Sequence, residues 1–382
     1  MPIIAGLKEV VDNECRCAIL PANVRRYLNL GLEVLVESGI GERIGLDDRE
    51  YTEAGAQLVS RSAILQSANV IVSVRPLPVS ELSAVRAAIL LSFLDPFNHP
   101  EYVEHLCQFN ITALSMEMIP RISRSQKMDA LSSQASLAGY VMAIKAATLF
   151  NRVLPMMMTP AGTLKPAKVF VIGAGVAGLQ AIATAKRLGA VVTAFDTRAV
   201  VAEQVASLGA KFLEIDLGET GQTEQGYAVS LTPEQMASQQ DAQLACIAES
   251  DIVITTAQLF GRRPPVLIKR DAIKNMQPGS VIVDMAAESG GNVEGSIAGK
   301  VVTIDGVHVM GTGNWANEVA RDAAHMYGNN VLNFVTEFWQ QDQGVFRLDP
   351  QDEIIQGAMI TNQGQVTNLL LQQHYANEGG AS

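Results

Sequence analysis

The sequence predicts an α/β fold with two domains, each built around a doubly wound parallel sheet. Along residues 1–130, short apolar runs alternate with helical patterns, as strands and helices do in such folds. A second region starts at residue 169, where an apolar run, a glycine-rich turn and a helical pattern follow one another. The length of 382 residues suits two domains of ordinary size.

The first domain contains four apolar runs that are strand candidates, at residues 31–37, 68–74, 88–93 and 111–116. Two stretches between them have helical spacing, at residues 22–30 and 100–109. Because strands that alternate with helices pair in parallel, we expect one parallel sheet flanked by helices. A long helix is then predicted at residues 132–150, followed by a loop with proline and glycine at residues 155–166.

The second region opens with the pattern G-x-G-x-x-G in residues 169–179, VFVIGAGVAGL. In a dinucleotide-binding turn of this kind, Gly173 allows the tight turn, Gly175 lets the backbone approach a pyrophosphate, and Gly178 lets the helix pack close to the strand. The free N–H groups at the start of the helix, including that of Val176, would hold the pyrophosphate. The pattern therefore predicts a Rossmann-like domain, the alternative being a glycine-rich helix start without a ligand.

The acidic residue that such a domain uses to bind ribose is predicted to be Asp196. It ends the next apolar run, residues 190–195, and lies 18 residues beyond Gly178, near the expected spacing of about 20. A carboxylate accepts hydrogen bonds from the 2′-hydroxyl of NAD(H) and repels the 2′-phosphate of NADP(H), so NAD(H) is predicted. An arginine nearby can accommodate a 2′-phosphate, but the carboxylate at the strand end carries more weight. The predicted cofactor site also includes Thr197 and Arg198.

The remaining chain divides between the two domains. Three further strands of the second domain are predicted at doubly wound spacing, at residues 251–257, 280–284 and 300–304. The pattern after Gly313 is helical, especially at residues 323–339, and we expect this segment to cross back to the first domain. The predicted domains are therefore residues 1–131 with 313–382, and residues 132–312.

The C-terminal region has two more recognisable features. Residues 357–367 predict a hairpin around Asn362-Gln363-Gly364, and residues 378–382 predict a frayed end. A polar stretch from Gly218 to Gln240 is interrupted by Gly226 and Tyr227. It is either a mobile surface loop or a lid that closes over a bound nucleotide, and the sequence leaves both possibilities open.

Composition excludes several classes of protein. The net charge of −11 argues against a surface for nucleic acid or anionic membranes. The four cysteines lack zinc-ligand spacing, and Cys15 and Cys17 are interpreted as an incidental pair on a strand. The N-terminus lacks the basic and apolar regions of a signal peptide, and residues 169–185 are too short and polar to span a membrane. We therefore expect a cytoplasmic protein without a metal site.

A polar motif lies just before the predicted connecting helix, in residues 120–133, PRISRSQKMDALSS. It brings together Arg121, Arg124, Gln126 and Asp129 at the expected domain junction. Dinucleotide enzymes commonly place their reactive end in such clefts. The alternative is a solvated helix start on which arginine and aspartate pair at the surface.

These motifs together resemble the NAD(H)-binding alpha subunit (domain I) of proton-translocating NAD(P) transhydrogenase, from about Lys8 to Lys300. Arg121, Gln126 and Asp129 fit that family's loop pattern R-x-x-x-x-Q-x-x-D. The resemblance implies that Gln126 contacts the dihydronicotinamide. It also implies that Arg121 pairs with Asp129 to shape the loop and orient the ring, with Ser132 close by.

Other segments fit the same family. Gly226 and Tyr227, with Ala228, match its mobile-loop motif. The segments Thr255-Thr256-Ala257 and Glu288–Asn292 also fit, and Thr256, Ala257 and Glu288 therefore join the predicted cofactor site.

The resemblance implies a reaction and a set of partners. NAD(H) would lie in a cleft between the two domains and pass hydride to NADP⁺ on a partner subunit, in a Re/Si-specific reaction. Since the sequence has one dinucleotide fingerprint and no membrane span, the NADP(H) site and the proton path would belong to other subunits. The resemblance further implies a homodimer, held at the cytoplasmic side of the inner membrane through those subunits.

The main alternative is alanine dehydrogenase, which belongs to the same superfamily. The N-terminal residues Lys8, Glu9, Glu14 and Arg16 suit both branches. An alanine dehydrogenase has a lysine at the position of Arg75, and a histidine at the next strand end, to bind and protonate a keto acid. This chain has Asp95 in place of the histidine, and an aspartate is ionised at neutral pH.

One segment departs from the transhydrogenase pattern. After Gly311-x-x-Asn314 the family usually has a proline and a basic residue, whereas this chain has Trp315-Ala-Asn-Glu318. A noncatalytic NAD-binding sensor is therefore a third hypothesis.

Overall fold

The computed structural model describes residues 1–86, 88–215, 233–258 and 261–379. Contacts divide the chain into two compact units. Unit 1 comprises Met1–Gln134 with Val319–Ser382, and unit 2 comprises Ala135–Glu318. The sequence placed the two boundaries after residues 131 and 312, three and six residues earlier than these contacts do.

The N-terminal segment of unit 1 alternates strands with helices. Its strands are β1 (Ile3–Gly6), β2 (Glu33–Glu37), β3 (Gln57–Val59), β4 (Val70–Val72), β5 (Ile89–Ser92) and β6 (Thr112–Ser115). Its helices are α1 (Pro21–Asn29), α2 (Asp48–Ala54), α3 (Arg61–Ser67), α4 (Val79–Leu82) and α5 (Pro100–Gln108), and α6 (Ala130–Leu149) follows. The four predicted strands and the three predicted helices are confirmed. Strands β1 and β3 were not predicted. Strand β3 has two exposed residues, Gln57 and Leu58, at the edge of the sheet, so it lacks the apolar run that indicates a buried strand.

Unit 2 continues with a second set of strands and helices. Its strands are β7 (Met157–Thr159), β8 (Gly162–Leu164), β9 (Lys168–Ile172), β10 (Val191–Phe195), β11 (Lys211–Phe212), β12 (Ile252–Thr255), β13 (Val281–Asp284), β14 (Val301–Ile304) and β15 (Val307–Met310). Its helices are α7 (Val176–Arg187), α8 (Ala202–Ser207), α9 (Pro233–Ala248) and α10 (Arg270–Lys274).

The last segment contributes the remaining elements of unit 1. They are α11 (Ala320–Phe338), β16 (Trp339–Gln340), β17 (Val345–Phe346), α12 (Glu353–Ala358), β18 (Met359–Asn362), β19 (Gln365–Val366) and α13 (Leu369–Gly379). The hairpin predicted at residues 357–367 is confirmed by the antiparallel pair β18–β19. Its two turn residues, Gln363 and Gly364, both have positive φ, at 50° and 74°, as a tight hairpin turn requires.

The sheet of unit 1 has the strand order β19-β18-β6-β5-β4-β1-β2-β3. Strands β1 to β6 are parallel, and β18 and β19 extend the sheet in antiparallel register. Neighbouring residues alternate between two apolar clusters on opposite faces, as Ile4 and Ala5 do in β1. Because both faces are covered, the inner strands β1, β4 and β5 consist mainly of apolar residues.

The sheet of unit 2 has the order β11-β10-β9-β12-β13-β15-β14. The strand predicted at residues 300–304 is confirmed as β14, but its expected parallel direction is wrong, because β14 pairs antiparallel with β15 at the sheet edge. Strand β15, which the sequence analysis missed, is the parallel neighbour of β13. The two strands are joined by Asp305 and Gly306, whose φ values of 49° and 83° fit the Asp-Gly hairpin turn.

Two further predictions need correction. Residues 155–166 contain the hairpin β7–β8, whose six strand residues are all exposed, so its sequence lacks the buried alternation that indicates a strand. Cys15 and Cys17 do not lie on a strand; neither forms a disulfide bond, and Cys17 is buried. Within the described ranges, the helices are either too short or too polar to cross a membrane.

Candidate functional site

The glycine turn joins β9 to α7 at the carboxyl edge of the unit 2 sheet. Gly173 has a φ of +97°, a conformation that residues with a Cβ rarely adopt. The hydroxyl of Thr256 donates to the Gly173 carbonyl at 2.9 Å and fixes the turn from the neighbouring strand end. A Cβ on Gly178 would lie 1.9 Å from that same carbonyl oxygen, so the first turn of α7 is in direct backbone contact with Gly173.

The outer side of the turn is open. Among the described residues, a Cβ on Gly175 would meet only the Arg198 Nη2 within 4 Å, at 3.9 Å, which leaves room for a ligand to approach this backbone. Gly175 is the N-cap of α7 and has no side chain that could satisfy the first amides of the helix. Those N–H groups have no partners within the helix and carry its positive end. The turn therefore has the geometry that a pyrophosphate needs.

Asp196 follows β10 and lies against the glycine turn. Its Oδ2 accepts the N–H of Ala174 at 2.8 Å, and its Oδ1 accepts the N–H of Arg198 at 2.9 Å. The Arg198 guanidinium also binds both carboxylate oxygens, at 2.9 Å each. Burial disfavours the charged carboxylate, but the hydrogen bonds from Arg198 and Ala174 outweigh it and hold the pKa of Asp196 below its usual range. An ionised acceptor therefore lies beside the turn, and Thr197 follows it on the exposed surface.

Three more predicted residues follow the carboxyl ends of β12 and β13, at the same edge of the sheet. Thr256 donates its N–H to Ile172 at 2.9 Å, and the carbonyl of Ala257 accepts from the Asn292 amide at 3.0 Å. Glu288 accepts the N–H of Asn314 at 3.2 Å. The other two predicted residues, Gly226 and Tyr227, lie outside the described residues.

Sequence reasoning missed Asp284, which organises this edge. Its carboxylate is fully buried and accepts the N–H groups of Ala286, Asn292 and Val293 at 3.0–3.3 Å. An aspartate at the end of an apolar strand was the available signal, as it was for Asp196.

The segment that departs from the transhydrogenase pattern is part of unit 2. Trp315 is buried, with 4% of its surface exposed, in a short 3₁₀ helix. Glu318 forms an ion pair with Lys145 of α6. These residues therefore pack within unit 2.

The Arg121 motif forms a loop with a 3₁₀ helix, Ser123–Met128, in unit 1. It forms a half-open cavity of about 250 Å³ lined by Arg121, Ile122, Ser123, Ser125, Gln126 and Asp129. Gln126 and Arg121 are exposed at this cavity. The implied ion pair between Arg121 and Asp129 is not formed among the described residues. Instead, the Asp129 carboxylate accepts the N–H of Ser132 at 2.8 Å and its hydroxyl at 2.6 Å, at the start of α6.

Helix α11 holds this loop in place. Asn330 and Asn333 both donate to the carbonyl of Lys127 at 3.0 Å. Asn330 is buried and also accepts the hydroxyl of Ser133 at 2.8 Å, so it binds the chain on both sides of Asp129. The Lys127 side chain pairs with Glu337 at 2.9 Å. The contacts of Asn330 and Asn333 with the loop were not predicted from the sequence. The available sequence signal was the spacing of these two asparagines, which puts them on one face of the helix.

A charged cluster occupies the carboxyl edge of the unit 1 sheet. Glu14 is fully buried and binds both Arg16, at 2.7 Å, and Arg75, at 2.8 Å. Glu9 accepts the backbone N–H of Val74 at 2.6 Å, and burial raises its pKa to about 7. The two cations that could hold the carboxylate of a keto acid are therefore both bound to Glu14.

Asp95 lies at the next strand end with a half-exposed side chain. Its Oδ1 accepts the amide of Asn98 at 2.8 Å. A histidine that the sequence analysis did not consider, His99, has its Nε2 at 3.7 Å from Asp95 Oδ2. That imidazole is also half exposed, and its Nδ1 faces Glu101 at 3.4 Å.

The chain matches two sequence families along most of its length. Residues 6–138 match "Alanine dehydrogenase/PNT, N-terminal domain", and residues 142–369 match "Alanine dehydrogenase/PNT, C-terminal domain". The chain is 41% identical to a protein of Rickettsia prowazekii that is named as the first part of NAD(P) transhydrogenase subunit alpha, over 97% of this chain and 98% of that protein.

Two solved structures are similar to it. The transhydrogenase from Sinorhizobium meliloti has a TM-score of 0.83 and 40% identity, with 96% of this chain and 99% of that chain covered. An L-alanine dehydrogenase has a TM-score of 0.82 and 25% identity, with 98% and 99% covered. The transhydrogenase and the alanine dehydrogenase thus share the fold of this chain, and sequence identity is higher with the transhydrogenase.

Proposed function

Because the chain belongs to the alanine dehydrogenase/PNT family and, within it, to the NAD(P) transhydrogenase alpha subunits, we propose that it binds NAD(H) and exchanges hydride with NADP(H) held by a partner subunit. The observation that carries the proposal is the Asp196 carboxylate beside the glycine turn, 2.8 Å from the Ala174 N–H. It puts an ionised ribose acceptor next to the first amides of α7, which have no partner within the helix, and these two features bind the adenosine half of NAD(H).

The described residues fit the cofactor in three respects. The open backbone at Gly175 and the first amides of α7 suit a pyrophosphate, and Asp196 suits a ribose. Thr256, Ala257 and Glu288 lie at the same sheet edge and belong to the proposed site. The bound nicotinamide supplies the hydride chemistry, so the protein has to bind, orient and exclude water.

We assign orientation of the nicotinamide to the Arg121 loop, following the family pattern. Gln126 presents an amide at the 250 Å³ cavity, with Arg121 and Asp129 beside it. Ser132 fixes the Asp129 carboxylate and thereby the shape of the loop. Hydride transfer between two nicotinamides requires no proton donor among these residues.

The partners follow from the single dinucleotide fingerprint in the sequence. We propose that separate subunits bind NADP(H) and span the membrane, coupling hydride transfer to proton translocation. The name of the Rickettsia relative, as the first part of a subunit alpha, identifies that protein as one piece of a larger enzyme. We further propose that this chain forms a homodimer and reaches the cytoplasmic membrane surface through those subunits.

The first prediction concerns the choice of nucleotide. NADH should bind with a dissociation constant in the micromolar range, and NADPH at least about tenfold more weakly, because Asp196 repels a 2′-phosphate. Asp196→Asn should narrow this difference, since it removes the charge and keeps an acceptor. Equilibrium dialysis with both nucleotides tests this. Asp271→Asn, which removes a charge from a 93% exposed side chain, is the control. Equal affinities of the unmodified protein for NADH and NADPH would contradict the assignment.

The second prediction separates this function from alanine dehydrogenase. The chain should show no pyruvate-dependent oxidation of NADH in the presence of ammonium. Arg16 and Arg75 are both bound to Glu14, and the strand end carries the carboxylate of Asp95. NADH absorbance follows the reaction. A steady-state rate above background that is lost in His99→Ala would show that the neighbouring imidazole replaces the missing histidine, and would favour the dehydrogenase.

A further inference from the structure

The Asp196 carboxylate has all its acceptor positions filled before any ribose arrives. An ionised carboxylate offers about four lone-pair sites. Oδ1 accepts from the backbone N–H and the Nε of Arg198, both at 2.9 Å. Oδ2 accepts from the N–H of Ala174 at 2.8 Å and the Nη2 of Arg198 at 2.9 Å. A ribose hydroxyl can therefore bind only if one of these donors leaves.

The four donors differ in their freedom to move. The N–H of Ala174 belongs to the glycine turn, and the N–H of Arg198 belongs to the backbone directly after β10. The Arg198 guanidinium, by contrast, ends a side chain that is 56% exposed, whereas the Asp196 side chain is 7% exposed. The guanidinium is therefore the donor that can leave by rotation of its side chain, without any movement of the backbone.

We propose that the Arg198 guanidinium competes with the adenosine ribose of NAD(H) for the Asp196 carboxylate, and that the ribose displaces the guanidinium when it binds. We call this guanidinium–carboxylate interaction the latch. Two guanidinium hydrogen bonds are lost, and the two ribose hydroxyls replace them at the same two acceptor positions. Arg198 thus determines affinity and specificity by competing with the ribose for Asp196. This inference rests on the proposed binding of NAD(H) at the glycine turn.

The displaced guanidinium stays close to the turn. Its Nη2 lies 3.9 Å from the position that a Cβ on Gly175 would take, on the open side of the backbone. It can therefore also attract a bound pyrophosphate, and its removal should weaken binding of every nucleotide that has one. A test of the latch must cancel this attraction.

The attraction of Arg198 for the pyrophosphate cancels in the ratio of the dissociation constants of two nucleotides that both contain a pyrophosphate. NADH and its analogue with 2′-deoxyadenosine share the pyrophosphate and differ only in one ribose hydroxyl. We measure both by isothermal titration calorimetry on the full chain and on Arg198→Ala, and compare the ratio of Kd for the analogue to Kd for NADH. Removal of the competitor should raise this ratio by at least about twofold, because a partly buried pair with two hydrogen bonds contributes no less than an exposed one. Arg198→Lys should give a smaller rise.

Arg187→Ala serves as the matched control. Arg187 is exposed at the opposite end of α7. Its removal changes the net charge of unit 2 by the same amount as Arg198→Ala does, and it should leave the ratio of the two dissociation constants unchanged. An unchanged or lower ratio of Kd for the analogue to Kd for NADH in Arg198→Ala would contradict the latch. If Arg198 only positioned Asp196 or contacted the ribose, its removal would lower this ratio. If Arg198→Ala is unfolded by circular dichroism, Arg198→Gln takes its place. Failure of the unmodified chain to bind NADH would instead refute the proposed function.

Discussion

Replacement of Gly178 by alanine should abolish measurable NADH binding and markedly lower the stability of unit 2. A Cβ at this position would lie 1.9 Å from the Gly173 carbonyl oxygen and 2.9 Å from its carbon. Both atoms belong to the backbone, so no side-chain rotation relieves the clash. Helix α7 has to move away from β9, which costs about 1–3 kcal/mol and displaces the amides proposed to bind the pyrophosphate.

Gly175→Ala provides a matched comparison on the same turn. Gly175 has a φ of −77°, which alanine adopts freely, and an added Cβ meets no atom of the described part of the chain closer than 3.9 Å. This variant should keep the melting temperature of the unmodified protein and bind NADH more weakly, because its methyl group occupies the open approach to the backbone. Thermal unfolding and NADH titration on both variants test the pair. Normal stability and normal NADH affinity in Gly178→Ala would show that α7 adjusts without moving the turn.

The fold around this turn was predictable because it depends on local patterns. The run of apolar residues before Gly173 and the helical spacing after Gly178 gave β9 and α7 in the right order. The edge of the same sheet was not predictable from periodicity, since β14 has the same apolar character as a parallel strand. Only Asp305-Gly306, a two-residue turn signal, distinguishes an antiparallel hairpin there from a further crossover.

The candidate site was predictable only in part, for a related physical reason. Spacing along the chain identified Asp196, but the occupation of its carboxylate by Arg198 depends on side-chain conformation, which a residue pattern does not contain. The support of the Arg121 loop depends on a contact over long sequence distance. Asn330 binds the carbonyl of Lys127 from 203 residues away, and no local pattern records such a pair.

Domain boundaries show the same limit. Helix α6 runs from Ala130 to Leu149 without a break, although the two units meet in sequence after Gln134. A helix that continues through a boundary leaves no proline, glycine or change of composition at that point. The boundary predicted from the sequence lies near the helix start, where the polar motif ends.

Gln126→Asn should lower hydride transfer by about tenfold or more while NADH affinity stays within a few fold. The affinity is assigned to the glycine turn and Asp196, which the substitution does not touch. The amide of Gln126 is exposed at the cavity of the Arg121 loop, and the loop backbone is fixed by Asn330 and Asn333. Since the backbone is held, the shorter side chain cannot recover its reach, and a misplacement of about 1 Å costs on the order of a hundredfold in rate.

The measurement is single-turnover transfer at saturating nucleotide, with the chain combined with an NADP(H)-binding transhydrogenase component. NADH binding is measured separately on the isolated chain. A tenfold loss corresponds to about 1.4 kcal/mol in the barrier. Gln108→Asn, the same shortening at an exposed position of α5, is the control and should change neither quantity. An unchanged transfer rate in Gln126→Asn would show that this amide does not orient the nicotinamide ring. That result would favour the hypothesis of a noncatalytic NAD-binding sensor. A parallel loss of binding and rate would instead identify Gln126 as a structural residue of the loop.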